Sequence, residues 1–480
     1  MNRTKNWWCW TKGSMLARRE AVVQQLLAFL SEKPEGGIVP PSFLLKGIGM
    51  ELTRYMKTFP SRIQPDRMLL YNTRRCALLE VSNGLLERIH TGELSEKEQE
   101  TLTKLGFLVQ SHAVEREEMR TCFERINRDS QRFRIVAALT LDCNLACPYC
   151  YEGNSWGRFS MDDATADLLV LRLIERMDEG KTVSVSFYGG EPLMALPMLR
   201  RIAGELSGAA KERKTTFEFS LVTNGTLLTR SVVEVLLPLG LKGAKLTLDG
   251  PPEIHDQQRP FVSGRGSFDT ILANIKATWD LLALQLGGNY TRHNYRQFPE
   301  LLDMLLEESI TPEMLEKVVF TPVTPRSDGS VASGDLSAVC ACSDEPWMIE
   351  ASMFLREEIL RRGFTTLKFK PSACMIEFEN DLVVGYDGGL YKCPAFMGDE
   401  KLRIGSLVEG AEKYGSSHNL DNWKCDECLD CSYLPLCFGG CRFLRRLRTG
   451  TIDGVDCRRT YFDAALEEII VQDMASQNKG

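Results

Sequence analysis

From residue 133 onward, short apolar runs alternate with longer amphipathic stretches. The runs are RIVAALTL (134–141), TVSVSFYGG (182–190), FEFSLVTNG (217–225), AKLTLDG (244–250), LALQLGG (282–288) and KVVFTPV (317–323). They are rich in β-branched or aromatic residues and most end on glycine, which marks strands. Between them, DDATADLLVLRLIERMDEG (162–180) and PMLRRIAGELSGAAKER (197–213) carry apolar residues at helical spacing. Repeated strand–helix units predict an α/β fold on a parallel sheet, either open or curved into a barrel. Six strands are too few for a closed eight-stranded barrel. In either architecture the ligand site lies at the carboxyl ends of the strands. The Gly-rich and Cys-rich loops of this stretch all fall at those ends.

Upstream the pattern differs. RMLLYNTRRCALLEV (67–81) holds two alternating runs around the polar turn NTRR, which predicts a hairpin. Helices follow: SNGLLERIHTG with Ser82 as N-cap, then LSEKEQETLTKLGFLV with Ser95 and Glu98 spaced as a capping box. A hairpin with helices makes residues 50–120 a small α+β module of winged-helix type, a peptide-recognition element or a structural cap on the next domain. Residues 1–49 form an extension, with a candidate amphipathic helix RREAVVQQLLAFL and a Gly/Pro stretch PEGGIVPP. The extension reads as a docking helix or as a start assigned too early. After residue 370 the chain turns cysteine-dense with short elements, and it closes on a helix, FDAALEEIIVQDMAS (462–476).

Composition narrows the classes. A net charge of −7 gives no global basic field for nucleic acid. No apolar run reaches the roughly 18 to 20 residues that cross a bilayer, and the N-terminus lacks a secretory h-region. The expected location is cytoplasmic, with neither nucleic acid nor membrane as partner. Sixteen cysteines then change the picture, because in a reducing compartment they bind metal more readily than they form disulfides. Cys9, Cys76 and Cys122 read as isolated packed thiols, whereas Cys143, Cys147 and Cys150 are spaced C-x3-C-x2-C directly after the first strand. Thiolates suit zinc or iron–sulfur clusters. Zinc takes four ligands in a closed site, so a compact trio fits three irons of one cubane with the fourth open, or a zinc knuckle completed from elsewhere.

The trio in LDCNLACPYCYEG, with an aromatic before its last cysteine, resembles the signature of radical S-adenosylmethionine enzymes. FYGGEPLM (187–194) is similar to that family's GGE motif, and VTNGTLLT (222–229) and LTLDGPPEIHDQQR (246–259) resemble its third and fourth strand-end motifs. The resemblance implies a partial (β/α)6 TIM-type barrel over residues 130–350. It also implies a [4Fe–4S] cluster on Cys143, Cys147 and Cys150, whose fourth position takes the amine and carboxylate of S-adenosylmethionine. One electron then splits the sulfonium into methionine and a 5′-deoxyadenosyl radical. Cofactor contacts are expected from Tyr149, Gly189, Gly190, Glu191, Thr223, Asn224, Thr247 and Asp249. Glycines admit close backbone approach, and Glu191 offers a carboxylate to an ammonium. His255 and Asp256 are read as shaping the loop after the fourth strand rather than as a catalytic pair; no catalytic side chain is assigned.

Residues 365–465 resemble the seven-cysteine SPASM (twitch-type) extension of peptide-modifying radical enzymes, through Cys374, Gly388, Cys393, Cys428, Cys431, Cys437, Cys441 and Cys457. The resemblance implies two auxiliary [4Fe–4S] clusters, an outer one on Cys428, Cys431, Cys437 and Cys457 and an inner one on Cys374, Cys393 and Cys441. The inner set has three protein ligands, so it is open to substrate or completed by Cys340, Cys342 or Cys425. Cys425, Cys428 and Cys431 also form a ferredoxin-like run. Structural zinc ribbons are the bland alternative, and residues 466–480 end the last helix and form a tail. The whole resembles maturases of ribosomally made peptides, of the geopeptide type, with a precursor leader bound by residues 50–120 through strand addition and an electron donor such as ferredoxin or flavodoxin. One alternative is an anaerobic sulfatase-maturating enzyme, in which an aspartate follows the GxxxxC cysteine where this chain has Pro394. Another is a non-catalytic iron–sulfur carrier or redox sensor.

Overall fold

The computed structural model describes residues 49–150, 159–325 and 345–477. The chain divides into two compact units. The first comprises its described residues up to Arg120 together with Phe369–Ser372 and Asp426–Cys437; the second holds the remainder.

In the first unit, β1 (Glu51–Leu52) pairs antiparallel with β5 (Leu108–Val109), and β2 (Met56–Pro60), β3 (Arg67–Asn72) and β4 (Ala77–Ser82) make a three-stranded antiparallel sheet with β3 central. The predicted hairpin is β3–β4. Its turn is closed by Asn72, whose Oδ1 accepts the amides of Arg74 and Arg75, both at 2.9 Å. Ser82 caps the helix Asn83–Thr91 by accepting from the Leu85 amide, and Ser95 and Glu98 form the capping box of the helix Glu96–Leu105. Leu70, Leu79, Val81, Leu85, Ile89, Leu102 and Phe107 bury together as the core of this unit.

The second unit is built on one ten-stranded sheet. Six strands, β6 (Arg132–Thr140), β7 (Thr182–Gly189), β8 (Thr216–Val222), β9 (Leu241–Thr247), β10 (Ala283–Tyr290) and β11 (Lys317–Pro322), lie parallel and side by side in chain order. This is the predicted α/β order of six strand–helix units. Beyond β6 the sheet continues through β12 (Asp381–Val384), parallel to β6, and then through β13 (Gly389–Tyr391), β14 (Gly405–Ser406) and β15 (Gly410–Ala411), all antiparallel. Alternation separates the two faces. Ile135, Ala137 and Leu139 of β6, Val183, Val185 and Phe187 of β7, and Phe217, Phe219 and Leu221 of β8 bury with apolar residues of the helices Asp163–Ile174, Leu196–Glu212 and Phe298–Glu307. The alternate positions are polar: Ser184, Ser186, Glu218, Ser220, Lys245 and Gln285 point to the other face, where Ser220 Oγ lies 3.4 Å from Ser186 Oγ. Six apolar-backed strands thus present a polar surface whose carboxyl ends carry the motif loops. No helix among the described residues is long and apolar enough to cross a membrane.

Candidate cluster and cofactor site

The loop after β6 carries Cys143, Cys147 and Cys150. It is pinned to the segment after the fourth motif: Leu145 bridges Phe261, the Ala146 amide donates to Pro260 O at 2.8 Å, and the Val262 amide donates to Asn144 O at 3.0 Å. Burial pushes the Cys147 thiol up to about 11, against the opposing Arg259 guanidinium, and the charges of Cys150, Asp249 and Cys143 push the same way. Burial raises Cys143 as well. Among the described residues, no three His, Cys, Asp or Glu side chains converge on a single ion.

The turn after β7 clamps that loop. The Gly190 amide donates to Thr140 O at 2.9 Å and the Glu191 amide to Asp142 O at 2.8 Å. A Cβ on Gly189, where φ is +125°, would stand 2.2 Å from Thr140 O; one on Gly190 would stand 2.3 Å from both Leu141 O and Asp142 O. Both glycines are required by backbone contact with the cysteine loop.

Glu191 is fully buried, and burial raises its carboxyl while three hydrogen-bond donors and the charge of Arg259 hold it down. The Leu193 amide reaches Oε1 at 3.0 Å, the Asn224 amide reaches Oε2 at 2.7 Å, and Thr223 Oγ1 lies 2.8 and 2.9 Å from the two oxygens. The carboxylate thus ties the β7 turn to the β8 turn. Asn224 continues the chain of contacts. Its Nδ2 donates to Asn144 Oδ1 at 2.8 Å and lies 3.6 Å from Cys143 Sγ, while its Oδ1 accepts from the Thr226 amide at 2.9 Å. Thr223 and Asn224 therefore reach the cysteine loop through named bonds.

Tyr149 takes the other side. Its hydroxyl meets Asp249 Oδ2 in a short hydrogen bond and accepts from Arg259 Nη1 at 2.7 Å and Asn289 Nδ2 at 3.1 Å. Arg259 and Asp249 also pair directly at 3.6 Å, and the Asn289 amide donates to Asp249 Oδ1 at 2.6 Å. Asp249 is fully buried; burial raises its carboxyl, and Arg259, Tyr149 and Asn289 oppose the rise. Thr247 ends β9, where its register partner is Gly287 of β10, and makes no part of this network. His255 is buried beneath the loop. Ser267 Oγ donates to Arg259 O, so it accepts from His255 Nε2–H, which leaves Nδ1 to accept the Asp249 amide at 3.1 Å. Asp256 Oδ1 receives the Ser267 and Phe268 amides at the start of the helix Phe268–Thr278. Both residues shape the loop. Arg259 and Asn289 were not singled out by sequence reasoning, although Arg259 closes the motif LTLDGPPEIHDQQR and Asn289 follows the Gly-Gly pair of β10.

A second thiol group lies in the same unit. Cys374 stands before β12, Cys393 after β13, and Cys441 at the start of the helix Arg442–Thr449. The Cys393 thiol is driven well above its ordinary range by burial and next by the nearness of Cys374 and Cys441, so the fold gathers three sulfurs from positions 67 residues apart. Burial and Cys374 also raise Cys441, against its hydrogen bonds to backbone amides. A buried ion pair, Arg442 Nη2 to Glu377 Oε1 at 2.5 Å, adjoins them. Cys428, Cys431 and Cys437 belong instead to the first unit, while Cys425 and the exposed Cys457 belong to the second. Cys9, Cys340 and Cys342 lie outside the described residues, as does nearly all of the 1–49 extension.

Residues 138–280 match the model of the Radical SAM superfamily. The chain carries a radical SAM domain. The radical SAM match begins inside β6 and ends after the helix Phe268–Thr278, so it takes in the trio, the GGE turn and the Tyr149 network. Among relatives of this radical SAM chain, Fe-coproporphyrin III synthase of Methanosarcina barkeri is 30% identical over 37% of the chain, and the chain spans 41% of that relative's length. A cysteine-type anaerobic sulfatase-maturating enzyme of Clostridium perfringens is 26% identical over 65% of the chain and 89% of its own. The solved structure of native anSMEcpe with bound AdoMet shares the fold at a TM-score of 0.56 and 19% identity, covering 71% of this chain and 99% of that one. The radical SAM fold, and the status of the chain as an enzyme, follow from these matches.

Proposed function

We propose that this radical SAM enzyme modifies a polypeptide, as a maturase of a ribosomally made precursor. The observation that carries the reading is the nearness of Cys374 and Cys441 to Cys393, in a chain that carries a radical SAM domain. A carrier of electrons would have no use for the GGE, TNG and LDG turns that line the strand ends. In this reading Cys143, Cys147 and Cys150 hold a [4Fe–4S] cluster, and Tyr149, Gly189, Gly190, Glu191, Thr223, Asn224, Thr247 and Asp249 shape the pocket for S-adenosylmethionine. Bound there, cluster and cofactor would supply radical chemistry able to take hydrogen from a substrate carbon. The chain's own part is to fix the loop. Gly189 and Gly190 press it against β7, Glu191 locks β7 to β8, and Arg259 with Asn289 holds Tyr149. The two thiol groups beyond residue 370 would hold auxiliary clusters. The donor of the electron is of ferredoxin or flavodoxin class, in a reducing cytoplasm, and the leader of the peptide pairs with the module of residues 50–120.

Sulfatase maturation is the second reading, favoured by the names of relatives such as the Clostridium enzyme. Pro394, which follows Cys393, stands where that activity is expected to place an aspartate. The test is anaerobic reconstitution with iron and sulfide, then formation of 5′-deoxyadenosine with candidate precursor peptides and with a sulfatase peptide. Three clusters and turnover on a precursor peptide support the first reading; turnover on the sulfatase peptide alone would replace it with the second. One cluster only would remove the auxiliary sites. Cys143→Ala, Cys147→Ala and Cys150→Ala should each abolish 5′-deoxyadenosine.

A further inference from the structure

The cysteines of the outer group are presented by a segment that folds with the beginning of the chain. Asp426–Cys437, which carries Cys428, Cys431 and Cys437, groups with residues up to Arg120 rather than with the sequence on either side of it. The attachment is specific. Thr73, fully buried in the β3–β4 turn, donates its hydroxyl to Ser432 O at 2.6 Å, and its amide donates to Tyr55 O at 2.8 Å. Tyr55, also fully buried, directs its hydroxyl to Leu429 O at 3.4 Å. Lys57 Nζ stands 4.4 Å above the ring of the buried Tyr433. On the outside Arg54 and Arg116 both grip Asp430, the second at 2.7 Å, and Arg116 also binds Asp426. Glu115, beside Arg116 on the helix His112–Arg120, accepts from the Arg54 amide at 3.0 Å and from the Thr53 hydroxyl.

The bonded atoms decide what this attachment does. Leu429 lies between Cys428 and Cys431, and Ser432 directly follows Cys431. Their carbonyls are fixed by the Tyr55 and Thr73 hydroxyls, and the Cys431 amide donates back to Cys428 O at 3.0 Å. Backbone held on both sides of a cysteine restrains the Cα from which its sulfur is carried. The exposed pairs of Asp426 and Asp430 add little by themselves, whereas a buried hydroxyl-to-carbonyl bond adds about 1 kcal/mol and, once broken, leaves an orphaned acceptor.

We propose that residues 50–120 are the positioning element for the outer iron–sulfur centre, with Thr73 and Tyr55 as its two positioning residues. The inference rests on the reading of Cys428, Cys431 and Cys437 as cluster ligands. It gives the N-terminal module a task in the metal chemistry, apart from any peptide it binds.

The test uses the full chain. Thr73→Val and Tyr55→Phe remove the two hydroxyls, and Thr73→Ser keeps one. Amide hydrogen exchange is read on the metal-free protein, and iron content with the spectrum of the reduced clusters on the reconstituted protein. The proposal expects residues 426–437 to exchange several-fold faster in Thr73→Val, one cluster's iron and its spectral component to be lost, and both to return in Thr73→Ser. Unchanged exchange across 426–437 would overturn it, as would faster exchange with iron and spectrum intact. A parallel Cys428→Ala/Cys431→Ala variant examines the underlying reading. Full iron in that variant means that the cysteines are not ligands, a failure distinct from that of the hydroxyl variants.

Discussion

Gly190 shows how little room the site leaves a single atom. Its Cβ would stand 2.3 Å from two carbonyls of the cysteine loop, and those carbonyls are backbone that cannot rotate away. Gly190→Ala is expected to destabilise the protein by about 1–3 kcal/mol and to lower iron retention at the first trio, read by thermal melting and iron assay. The Tyr149 network makes a paired prediction. Tyr149→Phe removes one hydroxyl at a cost of about 1–2 kcal/mol, whereas Arg259→Met leaves the buried Asp249 charge without its cation, at about 3–5 kcal/mol; denaturant midpoints of the metal-free chain separate the two. His255 adds a pH dependence. Burial holds it near 3, far below its ordinary 6.5. Above pH 6.5 both folded and unfolded chains carry it neutral. As pH falls from 6.5 toward 3 the unfolded chain takes a proton that the folded one refuses, and stability drops by roughly 1.4 kcal/mol per pH unit. His255→Gln should flatten that slope in urea titrations of the metal-free protein.

Among the elements, the six parallel strands were legible because their burial on the helix side forces apolar residues at alternate positions with polar ones between. Phe187 illustrates the force behind that pattern. It is fully buried and packs edge-on against Phe219 at 5.4 Å between ring centroids. Phe187→Ala is expected to cost about 3–5 kcal/mol, and Ser186→Ala, one residue away on the polar face, far less; a melting comparison of the two checks the assignment of faces. The caps at Ser82 and Ser95 were equally readable, since capping is local chemistry. The continuation through β12 to β15 was not. Those strands are two to four residues long, too short to show a period, and their apolar residues alternate with glycines and charges. The edge strand β2 ends on Pro60 and is half exposed, which hides it in the same way. Within the site, the motif residues were legible by spacing, but the bonds of Glu191 to the β8 turn and the roles of Arg259 and Asn289 depend on groups from separate strands.

For the molecule as a whole, the partition into two units departs from chain order, and no local pattern announces it. Leu429, Leu434 and Leu436 look like any buried leucines in a cysteine-rich stretch. That they complete the unit of residues 50–120 is a property of the folded chain alone. A chain cut after residue 425 lacks Ser432 and Asp430, which Thr73 and Arg54 bind, and both carboxylates that Arg116 binds. It should leave residues 50–120 open to protease where the full chain resists, as limited proteolysis with mass analysis would show.

The bonds from Thr73 to Ser432 and from Arg54 to Asp430 span 359 and 376 residues of sequence. During synthesis, then, the first unit to leave the ribosome is the last to be finished. Its hairpin and helices emerge early and wait, with the surface around Tyr55 uncovered, until almost the entire barrel has been made. Pairings of such separation are slow to form, and an uncovered face is the usual starting point of misassembly. The late segments Phe369–Ser372 and Asp426–Cys437 are therefore the step at which this unit closes.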